Sequence, residues 1–315
     1  MKAAARAAVA AGLAGYILWN SHPRDVLAAL AGADWRLIAI AVALVVVDRT
    51  LMAYRWLVLL CILDPAERPP FSDVIRIFFV STFLGTFLPA TVGADAVRAY
   101  SMTRLNVRVS DAVASVFMDR MLGVASLFVM AAVGLALARD LAANVTIVLA
   151  LAVAAAACAV TLLVVFSATA ARGVAAMLTP MPAKVRATGD RVLASIRRYS
   201  AHHGALVNVF AGSIGVQILR VVQAYFLGLG LAIALPLPAY FAFVPLILIV
   251  MLLPVTFNGI GTSQAAFVWF FGRAGVPAAS AFTLSVLFVA LGVVGNLPGG
   301  LLCAFGRHTA PQPGR

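Results

Sequence analysis

Eight ionisable side chains stand inside otherwise apolar stretches: Asp48, Arg49, Arg55, Asp95, Arg98, Asp119, Arg120 and Arg220. Gln217, Gln223, Asn258 and Gln264 are their neutral polar companions. Such groups are expensive in an apolar setting, so they face a bundle interior or a water-filled path. Arginines there can hold an anion, and aspartates can hold arginines. Asp95 and Arg98 lie three apart, so a helix starting at Gly93 places them on one face. The free N–H groups of that helix start suit a phosphate. Gln217, Arg220 and Gln223 recur every third residue and form a second polar stripe. Asp48-Arg49 and Asp119-Arg120 are adjacent residues whose side chains diverge on a helix, so each is expected to pair with a different helix. Ion pairs that only fix helix packing are the alternative reading at every one of these positions.

Other chemistries have little to stand on. Cys61, Cys158 and Cys303 are far apart in apolar runs, and four histidines show no ligand spacing. No metal, cofactor or thiol nucleophile is expected. A Gly-x-x-x-x-Gly-Lys-Ser/Thr phosphate loop is lacking, so ATP is not the direct drive.

The elements that must position these residues follow from composition. Of 315 residues, 63% are hydrophobic and 11% charged, with a mean hydropathy of +1.05. A soluble chain averages about 25% charged residues, so an ordinary soluble enzyme is excluded. The expected fold is all-α, a polytopic membrane helix bundle forming a single integral membrane domain over residues 1–315. The net charge of +12 could suit nucleic acid. No basic soluble stretch with interleaved aromatics exists, so the partners are membrane lipids and no nucleic acid is expected.

Eight apolar segments occupy residues 4–20, 36–62, 74–92, 110–138, 141–167, 204–231, 237–257 and 276–305. Between Arg220 and Arg273 lie 52 residues without a charge. As one helix they would run about 78 Å, so the chain turns back within or at the membrane. Leu88-Pro89-Ala90-Thr91 and Leu253-Pro254-Val255-Thr256 each precede glycines and a fresh apolar helix. Broken backbone at membrane depth is tolerated only in protein or beside a wet cavity. Both stretches read as re-entrant hairpins turning at Pro89–Gly93 and Pro254–Gly261, the alternative being two proline-kinked spans. Their 165-residue separation is a weak internal repeat, and inverted repeats with broken helices point to a transport site at the midplane.

Arginine placement sets the topology. Lys2 and Arg6, residues 94–108, the basic loop 168–203, and Arg307 with Arg315 are expected in the cytoplasm. Six full spans and two opposed hairpins satisfy this, whereas eight full spans would strand a basic segment outside. The N-terminal run is expected to stay as a membrane helix rather than a cleaved signal. Within 168–203, Val185, Val192, Ile196 and Tyr199 fall near one helical face among basic residues, suiting an interfacial helix or a solvated loop. Alanine and arginine richness fits a GC-rich bacterium, so a bacterial inner membrane with both termini inside is expected.

Four motifs carry a resemblance. Phe87-Leu88-Pro89 through Gly93-Ala94-Asp95-Ala96-Val97-Arg98, followed by Met118-Asp119-Arg120-Met121-Leu122-Gly123, is similar to the flippase-like transmembrane family of lysylphosphatidylglycerol synthases. Leu253-Pro254-Val255-Thr256-Phe257-Asn258-Gly259-Ile260-Gly261 resembles its second motif, Leu297-Pro298-Gly299-Gly300 its last helix, and Arg55-Trp56 the end of its second helix. Nearly the whole chain is covered. The family's Gly-Gly-Asp reads Gly93-Ala94-Asp95, and its Gly-x-Arg-Glu reads Gly261-Thr262-Ser263-Gln264. Gln264 can hydrogen-bond but cannot carry a proton.

The resemblance implies movement of an amphiphilic lipid, of phospholipid, glycolipid or hopanoid type, between leaflets, without the soluble synthase and not as an enzyme. Arg98 and Arg120 would then engage a headgroup anion. The substrate-binding set is Gly93, Asp95, Arg98, Asp119, Arg120, Gln217, Arg220, Asn258, Gly259, Gly261 and Gln264. The alternatives are an intramembrane headgroup transferase using Asp95 or Asp119 as base, and a scaffold for lipid-synthesis enzymes. Oligomeric state is not legible in the sequence.

Overall fold

The mostly apolar stretch from Trp35 to Leu63 has no glycine or proline, so nothing interrupts that helix. A computed structural model describes residues 23–63, 70–87, 93–105, 107–137, 145–177, 179–252 and 261–305. Their regular structure is entirely helical: α1 (Pro23–Ala31), α2 (Trp35–Leu63), α3 (Phe71–Phe87), α4 (Gly93–Thr103), α5 (Val109–Leu137), α6 (Val145–Phe166) and α7 (Ala168–Met177). The rest are α8 (Ala183–Arg198), a 3-10 turn at Tyr199–Ala201, α9 (His203–Gly230), α10 (Leu237–Leu252), α11 (Thr262–Arg273), α12 (Ala278–Val294) and α13 (Leu297–Phe305).

Among the described residues four stretches are long and apolar enough to cross a membrane: Trp35–Ile62, Val109–Leu137, His203–Gly230 and Ala278–Cys303. They are four of the six expected full spans. The fifth expected span, 141–167, falls on α6, whose Leu151–Leu163 stretch meets α7 (Ala168–Met177) at 93°. The sixth, at 4–20, lies outside the described residues.

The two proline-bearing segments are built from shorter pieces. Helices α3 (17 residues) and α4 (11) are about 25 and 16 Å long. Helices α10 (16) and α11 (12) are about 24 and 18 Å. Over their described residues all four are shorter than a hydrocarbon core of about 30 Å. Helix α3 packs on α4, and α10 on α11. Gly85 lies so close to Ala94 that a side chain at 85 would overlap it. Of the expected turns at Pro89–Gly93 and Pro254–Gly261, residues 89–92 and 254–260, with Asn258 and Gly259, lie outside the described residues. Gly261 opens α11 at φ +90°, a backbone conformation that glycine adopts without strain.

The repeat is visible in the packing. With α2, α3, α4 and α5 matched to α9, α10, α11 and the α12–α13 span, each contact in the first set has a counterpart in the second. Helices α4 and α5 pack as α11 and α12 do, α2 and α5 as α9 and α12, and α5 on α10 as α13 on α3. The most extensive contact joins α2 to its own counterpart α9. The 165 residues between Pro89 and Pro254 also separate Arg55 from Arg220.

The basic stretch 168–203 forms α7, α8 and the 3-10 turn, and α8 docks on the start of α5. Ser195 donates to the Asp111 carboxylate at 2.6 Å, with Arg198 at 3.4 Å from it. The Tyr199 hydroxyl donates to the Leu59 carbonyl at 3.0 Å, and burial pushes its ionisation well up, keeping it a neutral donor.

Close backbone approach holds α5 on α10. A Cβ at Gly134 would sit 2.7 Å from the Phe241 carbonyl oxygen and 2.9 Å from that of Ala242. Gly134→Ala is therefore expected to force the helices apart at about 1–3 kcal/mol, lowering the unfolding midpoint in detergent. An unchanged midpoint would refute this tight contact.

Candidate functional site

Two Arg–Asp–Arg triads occupy the interior of the bundle, and each is centred on one aspartate of an Asp-Arg pair. In the first, the Asp48 carboxylate accepts from Arg49 at 2.9 Å and faces Arg220 of α9 at 3.6 Å. In the second, the Asp119 carboxylate accepts from Arg55 of α2 at 2.9 Å and from Arg98 of α4 at 3.5 Å. Asp48 and Asp119 are 1% and 7% exposed, so each needs its cations to be tolerated there.

The surroundings of the triads differ. Around Asp119 the remaining positive charge lies against protein, although the Arg55 and Arg98 Nε–H groups have no acceptor among the described residues. The Arg98 guanidinium lies 4.9 Å from the Trp56 ring centre and 4.7 Å from that of Phe78. Arg55 also donates to the Asp119 carbonyl at 3.2 Å. Trp56 is fixed in turn by donating to the Ser115 hydroxyl at 3.2 Å. The Asp48 triad instead borders a cavity of about 370 Å³. Asp48, Arg49, Arg120, Arg220, Gln223 and Asn296 form its polar wall, with Thr82 and Thr86 of α3 beside them. Leu248, Met251, Phe288 and Val289 make it apolar elsewhere. Gln223 is 3% exposed, and its amide nitrogen has no acceptor among the described residues. Asn296, at the break between α12 and α13, donates to Thr86 at 2.9 Å and ties that break to α3.

Asp95 and Arg98 share the face of α4 that meets α5, and their partners there are crossed. Asp95 holds Arg120 at 2.5 Å, while Arg98 reaches Asp119. The neighbours Asp119 and Arg120 thus find separate partners, as their adjacency implied. Asp48 and Arg49 likewise reach different helices, Arg220 of α9 at 3.6 Å and the Gly292 carbonyl of α12 at 3.2 Å, but they also pair with each other, because the long arginine stem can curl back to a carboxylate one residue away. Of the sequence-derived set, Arg120 and Arg220 reach the cavity wall. Gly93 is the first residue of α4. Gln217 donates weakly to the Gly123 carbonyl and the Ser126 hydroxyl, both at 3.4 Å. Gln264 folds back to accept the Gly261 N–H at 2.6 Å and so caps α11. Arg49, Asn296, Thr82 and Thr86 were not in that set. Arg49 stood only among the charged residues, and the others carry no charge to draw attention.

Chemically, this arrangement can hold a polar or anionic group inside an apolar bundle. Asp48 and Asp95, the carboxylates at and beside the cavity, are both engaged by arginines. The profile of one protein family, described as the lysylphosphatidylglycerol synthase TM region, matches residues 3–299. No curated protein of similar sequence was found.

Proposed function

The chain belongs to the lysylphosphatidylglycerol synthase TM region family, and on that premise we propose that it moves an amphiphilic lipid between membrane leaflets. It is a multi-pass membrane protein of lipid metabolism or transport. The observation that carries the finer reading is the cavity beside Asp48. A lipid headgroup crosses hydrocarbon slowly because its polar groups lose water there. A wall of Arg49, Arg220, Gln223 and Asn296 supplies substitutes for that water. Leu248, Met251 and Phe288 continue the wall as apolar surface, compatible with acyl chains lying in the bilayer. Engagement of both nearby carboxylates by arginines supports a transporter over a transferase needing a free base.

The test is leaflet-specific quenching of fluorescent phospholipids and glycolipids in vesicles reconstituted with the protein. Faster exchange than in protein-free vesicles is expected for at least one headgroup. Equal rates for all of them would end the translocation reading.

The proposed orientation places both termini and the basic stretch 168–203 in the cytoplasm, with α3–α4 and α10–α11 as hairpins entered from opposite sides of a bacterial inner membrane. In a chain without Cys61, Cys158 and Cys303, Arg24→Cys is expected to label from outside. Arg104→Cys, Arg186→Cys and Gln312→Cys should label only from inside. Outside labelling at position 186 would overturn the arrangement.

A further inference from the structure

Deepening the translocation reading and resting on it, we propose that the Asp48 cavity is built for a phosphate-ester anion, so that the lipid carried has a net negative headgroup rather than an aminoacylated cationic one. Each triad shares one carboxylate between two guanidiniums and so keeps one positive charge in excess. In the Asp119 triad that charge rests against two aromatic faces and a carbonyl. In the Asp48 triad the further acceptors are the Met52 thioether, 3.5 Å from Arg49 and 3.6 Å from Arg220, and the Gly292 carbonyl at 3.2 Å from Arg49. A thioether is a weak acceptor, and Asp48 is the one carboxylate in the cavity wall among the described residues.

The repeat explains how the imbalance arises. Arg55 and Arg220 are equivalent, and Arg55 has Asp119 on the neighbouring span. The residue 165 positions after Asp119 is Leu284, so Arg220 lacks the matching acid and shares Asp48 with Arg49. Buried Gln223 adds an amide donor without an acceptor among the described residues. A phosphodiester brings one negative charge and several acceptor oxygens, which suit an arginine pair and an amide donor. An ammonium group on the same headgroup would meet Arg49 and Arg220 as like charges.

Binding of short-chain phosphatidylglycerol, phosphatidylcholine and lysyl-phosphatidylglycerol to the purified protein, followed by calorimetry in a neutral detergent, tests the assignment. The anionic lipid is expected to bind at least tenfold more tightly than either of the others, and its affinity should fall as salt rises. Water-soluble glycerophosphoglycerol should bind at least tenfold more weakly than the lipid. Equal affinity would make this a free-anion site and defeat the lipid assignment. Arg220→Gln and, separately, Gln223→Leu should each lose affinity for the anionic lipid, with the charge preference collapsing in Arg220→Gln. Arg104→Gln, exposed on the 93–105 segment and stacked on Tyr100, should leave both unchanged. Equal binding of the three lipids, a preference for the cationic one, or a preference unchanged in Arg220→Gln would overturn the proposal. The two readings fail separately. Selective binding without leaflet exchange removes transport and leaves the charge assignment, whereas exchange without selectivity does the reverse.

Discussion

Vesicles carrying Arg220→Gln are expected to exchange lipid at least about tenfold more slowly than wild type, with the protein still folded. Hydrogen bonds to a charged group contribute about 1.5–3 kcal/mol, equivalent to roughly 10- to 100-fold in rate if the headgroup needs them at the crossing point. Two features separate this from general damage. Asp48 keeps Arg49 at 2.9 Å after the change, so no carboxylate is left buried alone. The Arg220 side chain also borders the cavity rather than solid core, which gives glutamine room. A symmetric size-exclusion peak with near-normal melting, together with lost exchange, is the expected pattern. Arg220→Lys should restore part of the rate, since a lysine brings the charge without the planar fork. Wild-type exchange by Arg220→Gln would remove Arg220 from the transport path.

Much of this architecture is legible in the residues themselves. Pro89 and Pro254 with their glycines announce where helices must break, while the backbone at 88–92 and 253–260 lies outside the described residues. Adjacency correctly sends Asp119 and Arg120 to separate partners. For Asp48 and Arg49 it holds only in part: they reach α9 and α12, but arginine also has the length to bend back to its neighbour. The charged residues could be found in one dimension, but their division into a solid triad and a cavity triad could not. That division depends on Trp56 and Phe78 closing over Arg98, which involves three different helices. Thr82 and Thr86 were invisible for another reason. Each returns its hydroxyl to a carbonyl of its own helix, at 2.7 and 3.1 Å, as threonines in any apolar helix do. The equivalence of Arg55 and Arg220 is present in the spacing, yet it gains meaning only when α2 and α9 are seen packed together.

The second triad should behave in the opposite way. Asp119→Ala is expected to abolish folded protein rather than transport alone, because it strands Arg55 and Arg98 together, 3% and 5% exposed, without a carboxylate. Removing one partner of a buried ion pair costs about 3–5 kcal/mol, a large share of the roughly 5–15 kcal/mol that holds a typical domain. Asp119→Asn preserves the shape but not the charge, so it should be nearly as harmful. Arg98→Ala should also act first on folding, since it leaves a void beneath Trp56 and Phe78. The decisive variant removes all the charge at once. Arg55→Met, Asp119→Leu and Arg98→Met in one chain should recover a monodisperse protein that Asp119→Ala cannot give, because apolar replacement of a whole buried triad is often neutral or stabilising. If that triple variant also exchanges lipid, the Asp119 triad only positions α4 against α5. If it folds and is inactive, the headgroup path runs through both triads. An Asp119→Ala protein that melts like wild type would show that Arg55 and Arg98 tolerate burial without their shared acid, and the contrast between the two triads would fall with it.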